Sequence, residues 1–314
     1  MIVVLTGGTG GAKFVDALKQ LLPARKLTLI VNTGDDLMWW GLHVSPDLDS
    51  ILYVLAGMLS KDRGWGVDDD SFECLEAMRR MGAPAWFRIG DRDLATHLTR
   101  TRLLASGRTL TQATAEIAAA LGVDSHILPM SDHRVETRVT TPDGELSFQE
   151  YFVRERYQPE VRGVRFVGAE QASPAPGVLE AISHAEAVVL APSNPITSIG
   201  PILAVPGIRQ ALQETPAPRA AISPIVGGEA VSGPAGALMA SQGLPISIAG
   251  VAQAYNDFLD LLIVDERDAE AAKALRHSGL QVHCAKTIMK TADDKAALAA
   301  TVLELVRRSA ARAG

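Results

Sequence analysis

The chain has 314 residues, 47% of them apolar and 21% charged, a composition that argues against disorder and allows a core of ample size. Its formal charge of −6 gives no general basic surface for a nucleic-acid backbone. Two cysteines, Cys74 and Cys284, stand far apart without paired spacing, which argues against a disulfide framework or a zinc cage and suits thiols in a reducing compartment. No leader-like segment and no window of about 18 apolar residues is evident, so the expectation is a cytoplasmic protein with no membrane span.

Ile2–Leu5 is a short apolar run ended by glycines, which predicts a strand buried on both faces of a parallel sheet. Thr6-Gly7-Gly8-Thr9-Gly10-Gly11-Ala12-Lys13 follows and opens a helix, whose stripe is Phe14, Val15, Leu18, Leu21 and Leu22 and whose stop is Pro23. Glycines let backbone amides approach an anion, and a helix N-terminus adds partial positive charge. The dinucleotide fingerprint wants glycine where Lys13 stands, and an acid where Asn32 ends the second strand, Leu27–Val31. A Walker loop is absent. The loop therefore reads as a nucleotide-phosphate cradle of another type, within a right-handed βαβ unit.

Four acids come next: Asp35, Asp36, Asp47 and Asp49. Carboxylates at the C-terminal edge of a parallel sheet, beside a phosphate cradle, are what a magnesium ion needs. Asp36 and Asp49 read as site acids, and Asp47 as the cap of a helix starting near Leu48. From Ser50 to Gly122 the pattern is helical. One helix, capped by Asp70 or Ser71, carries Phe72, Leu75, Met78 and Met81; another runs over Thr111–Leu121. Between them, Arg88-Ile89-Gly90-Asp91-Arg92-Asp93 is either a polar-ligand contact or a salt-bridged corner, and His97 reads as a structural hydrogen bonder. Val135–Val139 and Leu146–Phe152 flank Pro142-Asp143-Gly144 as a β-hairpin.

Buried strands return at Ala187–Leu190, Ala220–Ile222 and Leu261–Val264, and a last helix spans Asp293–Arg308. The first of these strands runs into Pro192-Ser193-Asn194-Pro195, a rigid loop offering Ser193 and Asn194 to a ligand. No nucleophile elbow or Ser-His-Asp order is present. The predicted architecture is α/β: a Rossmann-like parallel sheet with helices on both faces, built from residues 1–49 and 166–314, with a helical and β-hairpin subdomain inserted at 50–165.

Taken in order, Thr6–Lys13, Asn32–Asp36, Ser45–Asp49, Gly90–His97, Leu128–Asp132, Pro192–Pro201, Ser232–Met239 and Asp265–Asp268 resemble the 2-phospho-L-lactate transferase family of deazaflavin coenzyme (F-420) biosynthesis, nearly end to end. The resemblance implies that a guanosine diphosphate (GDP)-linked donor gives its phospho-lactate, phosphoenolpyruvate or related unit to the ribityl hydroxyl of the deazaflavin precursor. GMP leaves, and magnesium is required. Carried over, Asp49 and Arg88, with Gly90 and Asp91, match the deazaflavin side, and Asp49 is the catalytic residue. Gly7, Gly8, Thr9, Gly10, Gly11, Lys13, Ser193 and Asn194 would hold the donor nucleotide, with Asp36 and Asp49 nearest the metal. Trp39, Trp40 and Trp65 either stack on the planar deazaflavin or fill a core or dimer seam, the latter being the expectation, and a homodimer is the expected assembly. Two other classes stay open. A non-catalytic nucleotide-sugar-binding regulator of a related glycine-loop family would lack the Asp49–Arg88 pair, and a nicotinamide oxidoreductase is disfavoured by Lys13 and Asn32.

Overall fold

In the computed structural model, which describes residues 1–313, seven strands form one sheet. They are β1 (Ile2–Thr6), β2 (Leu27–Val31), β3 (His126–Pro129), β4 (Ala187–Leu190), β5 (Arg219–Ile222), β6 (Leu261–Asp265) and β7 (Gln281–Ala285). Every pairing is parallel, in the order β7-β6-β5-β4-β1-β2-β3. Alternate residues feed two cores. Val3, Leu5, Ile30 and Val188 pack into one face, while Val4, Leu29, Val31 and Val189 pack into the other. A strand covered on both faces reads as an unbroken apolar run, which is why β1, β2, β4 and β6 are visible in the sequence.

The chain reverses its direction of travel across the sheet between β1 and β4, leaving a crevice at their C-terminal ends. Helix α1 (Gly8–Leu21) leaves β1 there and packs against α2 (Pro46–Leu55) and the final helix Ala292–Ala313.

Two sheet strands escaped the sequence reading. β3 lies inside the 50–165 segment yet pairs with β2, and α5 (Leu110–Ala120) packs beside it, so that part of the segment belongs to the sheet layer. β7 alternates Gln281 and His283 with Val282 and Cys284 and forms the opposite edge. Outside the sheet stand the hairpin Leu37–Trp39/Leu42–Val44, helix α3 (Glu73–Arg80), helix α4 (Asp91–Ala105) and a three-stranded antiparallel sheet.

The predicted hairpin forms within that small sheet, pairing Thr141 with Gly144, but its second strand stops at Ser147 rather than Phe152. Glu150 accepts the backbone N–H and the hydroxyl of Ser147, both at 2.9 Å, and the Ser147 hydroxyl accepts the Glu150 N–H. That reciprocal cap starts a π-helical turn, Glu150–Arg154, and overrides the alternation of the run.

The corner at Gly90–Asp93 is built by exchange. Asp70 accepts the N–H groups of Arg92 (2.7 Å) and Asp93 (3.0 Å) at the start of α4. Asp91 in return accepts those of Glu73 (2.9 Å) and Cys74 (3.0 Å) at the start of α3. A Cβ on Gly90 would lie 2.1 Å from Asp70 Oδ2, so glycine is required by the close approach. This corner fixes the rotation of α4, and with it the face that carries Asp93, His97 and Arg100.

Candidate active site

The crevice opens into a cavity of about 900 Å³. Gly7, Gly8, Thr9, Gly10 and Lys13 line it from β1 and α1, and Ser193, Asn194, Thr197 and Ser198 line it from the loop after β4. The two loops are latched together. The Ser193 hydroxyl donates to the Gly7 carbonyl at 2.7 Å, and a Cβ on Gly10 would sit 2.3 Å from the Pro192 carbonyl oxygen. Gly11 does not line the cavity: a Cβ there would meet Thr6 Oγ1 at 2.1 Å and Ser193 Oγ at 2.8 Å, so it serves the latch. Asn194 uses its Oδ1 to accept the Ile196 N–H at 2.9 Å, bracing its own loop while lining the cavity.

Asp47 departs from its expected role as a cap. Helix α2 starts at Pro46, and the Asp47 carboxylate turns to α1 instead, accepting the Gly8 N–H at 2.7 Å and the Asn32 amide at 2.9 Å. Asn32 also donates to Asp35 at 3.1 Å, so it joins two buried acids that line the cavity. Burial pushes Asp47 up to about 6, with the Asn32 and Gly8 hydrogen bonds opposing and the Asp36 and Asp49 charges adding. Asp35 is raised well above the usual carboxylate range, first by burial and then by Asp47.

Asp36 is the neighbour that faces away. It accepts the Ser45 hydroxyl at 2.7 Å, pairs with His43 at 2.9 Å, and does not line the cavity. Of the two adjacent acids, the cavity is lined by Asp35. The period of a single residue decided this, and only the fold of the following hairpin sets which acid points in.

Asp49 and Tyr53, one turn apart on α2, meet Asp93, His97 and Arg100, spaced i, i+4 and i+7 on α4. Arg100 is fully buried and grips Asp49 with both arms of its fork, Nη1 to Oδ2 at 3.1 Å and Nη2 to Oδ1. Burial opposes its charge, but Asp49 holds its pKa above the ordinary arginine value. His97 lies between the acids, Nδ1 at 3.5 Å from Asp49 and Nε2 at 3.3 Å from Asp93. Tyr53 donates to Asp93 Oδ1 at 2.7 Å; burial, then the Asp49 and Asp93 charges, push its phenol upward and keep it a donor.

Arg88 lines the cavity with its guanidinium 4.5 Å from the Phe72 ring centre and 5.9 Å from that of Trp65. It forms no ion pair with Asp91 or Asp93 among the described residues. Gly90 and Asp91 do not line the cavity, because both serve the corner between α3 and α4. Trp65 lines the cavity, contrary to a core role, whereas Trp39 is buried against Trp86, 4.7 Å between ring centres. Sequence reasoning missed Asn32, Arg100 and Tyr53 as site residues, and held Asp93 only within the run from Arg88 to Asp93. It also missed Lys290 and Lys295, which bring cations to the cavity from the last loop and helix.

The 2-phospho-L-lactate transferase (CofD) family model matches residues 2–304. The chain is 41% identical to a 2-phospho-L-lactate transferase of Methanosarcina mazei, over 96% of this chain and 99% of that one. It is 45% identical to a phosphoenolpyruvate transferase of Streptomyces griseus, over 97% and 98%. A solved structure of a UPF0052-family protein from Bacillus halodurans shares the fold, with a TM-score of 0.64 at 17% identity, over 96% of this chain and 98% of that one. With a nearly full-length family match and relatives at this identity, the chain belongs to the 2-phospho-L-lactate transferase family.

Proposed function

We propose that the protein transfers a 2-phospho-lactate, phosphoenolpyruvate or related phospho-acid unit from a GDP-linked donor to the ribityl hydroxyl of 7,8-didemethyl-8-hydroxy-5-deazariboflavin, releasing GMP. The observation that supports this best is one cavity of about 900 Å³ lined both by a glycine cradle at a helix N-terminus and by Arg88, Trp65 and Asp49. The cradle suits the donor's phosphates, and the planar groups suit a planar ring.

In this reaction the acceptor oxygen forms a bond to the phosphorus that bears the acid. The bond to the GMP phosphate oxygen breaks, and GMP leaves with that electron pair. The hydroxyl proton passes to a basic group or water in the cavity. The chain's work is positioning and charge neutralisation. Backbone amides of the Thr9–Gly10 turn and the Lys13 ammonium hold the phosphates. Arg100 fixes the orientation of Asp49, which keeps an acceptor lone pair for the hydroxyl. Lys290 and Lys295 add positive potential for the leaving nucleotide.

Magnesium fits these residues. Asp35 and Asp47 are two buried acids whose pKa values are raised by burial and, for Asp35, by the other's charge. A divalent cation relieves that repulsion. Asp49 is already matched by Arg100, and Asp36 by His43 and Ser45, so we assign the metal to Asp35 and Asp47 rather than to Asp36 and Asp49. No three acidic, histidine or cysteine side chains among the described residues converge as a cage. Magnesium is commonly held by one or two carboxylates plus substrate phosphates. Bound there, it would neutralise charge on the donor.

The test is turnover with the deazaflavin precursor and a GDP-linked phospho-acid, with and without magnesium, following GMP and the new phosphodiester. Quenching of deazaflavin fluorescence without turnover would point to a non-catalytic binding protein. Absence of both would remove the reading.

A further inference from the structure

Among the acids lining the cavity, the carboxylate oxygens are unequally engaged. Both oxygens of Asp49 lie on Arg100, and those of Asp47 on Gly8 and Asn32. Asp35 gives one oxygen to Asn32, and the other, buried without a hydrogen-bond partner among the described residues, belongs to the acid pair assigned to the metal. Asp93 differs. Tyr53 and His97 converge on its Oδ1, and no hydrogen bond from the described residues engages its Oδ2, although the residue is only 7% exposed.

A second observation lies beside it. His97 is 1% exposed, and neither of its ring nitrogens has a hydrogen-bond partner, although each faces a carboxylate. Buried polar atoms without partners are costly, and they mark a place that a ligand completes. Helix α4 is held in this rotation by the Asp70 cap on the Asp93 N–H, so the arrangement is pre-organised.

We propose that Asp93 is a second acceptor-binding residue, its free Oδ2 taking the hydrogen bond of a hydroxyl on a polyhydroxylated chain, with Tyr53 and His97 as positioning residues. This rests on the transferase reading above and deepens it. Asp49 and Asp93, on either side of one imidazole, form two fixed acceptors on facing helices and so recognise a chain bearing more than one hydroxyl. The aromatic side chains on the same cavity, Trp65 and Phe148 among them, take the planar part of the same ligand.

The experiment compares affinities for the deazaflavin precursor and for its analogues that each lack one inner ribityl hydroxyl, by fluorescence quenching, in wild type, Asp93→Ala and Asp93→Asn. Wild type is expected to prefer the intact compound by about 10- to 100-fold, the worth of one hydrogen bond to a charged group. In Asp93→Ala the preference should shrink to under about threefold, with Asp93→Asn between them. Should the alanine variant fail to fold, the asparagine variant decides alone. A preference unchanged in a variant that binds the precursor overturns the role of Asp93. A wild type that does not bind the precursor overturns the transferase reading and this proposal with it.

Discussion

The carboxylate of Asp47 accepts the backbone N–H of Gly8 at 2.7 Å, so an acid from α2 sits on the N-terminus of α1. That end of α1 has no acidic residue of its own in its first turn and no side-chain cap from Gly7. In the proposed reading the remaining amides of the turn would take a donor phosphate, and Asp47 stands beside them.

The pH behaviour of the metal-free protein follows from this pair. Asp47 is raised from 3.8 to about 6 in the folded chain, so between those values the folded state binds more protons than the unfolded one. Stability from this group is present below the unfolded pKa and is lost as pH rises through about 6. Asp35 contributes with the same sign. The expected result is that Asp47→Asn, melted in chelator, gains stability over wild type between pH 5 and pH 7. At pH 7 magnesium should raise the wild-type melting temperature and leave that of the variant nearly unchanged. Parallel melting curves for the two proteins across the range would contradict the assignment.

Asp49 is expected to be needed for transfer, but its replacement must respect Arg100. Asp49→Ala strands a fully buried guanidinium, and breaking such a pair costs about 3–5 kcal/mol. Asp49→Asn keeps the shape and one acceptor. We expect at least a hundredfold loss of kcat in Asp49→Asn, with the GDP dissociation constant within about threefold of wild type. Full turnover in a folded Asp49→Asn protein, with saturating magnesium, would remove Asp49 from the mechanism.

The glycine cradle gives a prediction with two readouts. At Gly10 a side chain meets the Pro192 carbonyl as well as any phosphate, so Gly10→Val must separate the two latched loops. Calorimetry with GDP should show at least tenfold weaker binding, while fluorescence titration of the deazaflavin stays within about threefold. Equal losses for both ligands would mean that the latch, rather than the donor subsite, had been broken.

The β1–cradle–α1–β2 unit was legible because its signals are local: apolar runs of strand length, glycines, and a helical stripe from Phe14 to Leu22. β3 and β7 were not, since each is an edge strand whose apolar residues are interrupted by His126, Pro129, Gln281 and His283. Asp47 was misread for a related reason. The first turn of a helix suits an acid on its own account, and its real partners, Gly8 and Asn32, are 39 and 15 residues away. Asp93, His97 and Arg100 did leave a trace, three polar side chains at i, i+4 and i+7, but polar residues on one helix face are ordinarily a solvated face. Only the matching Asp49 and Tyr53 of α2 turn that face inward.

Arg88 remains the sharpest test of how the acceptor is held. The sequence left three roles open: a contact to the deazaflavin, a clamp on the donor, and a structural pair with Asp91 or Asp93. Asp91 is spent on α3, and Asp93 meets Tyr53 and forms no ion pair with Arg88 among the described residues, which leaves the third role without a partner. The guanidinium lies instead over Phe72 and near Trp65, at the cavity surface. A plane stacked on an aromatic ring presents its other face and edge to a ligand, and lysine cannot reproduce that fork. A desolvated contact of this kind is worth about 1.5–3 kcal/mol, or roughly ten- to over a hundredfold in affinity. Arg88→Lys keeps the charge, so it should cost part of that: at least a severalfold rise in the deazaflavin dissociation constant, with GDP affinity within about twofold. A fall in GDP affinity alone would move Arg88 to the nucleotide half of the cavity. No change in either would leave it as a cover for Phe72 and Trp65.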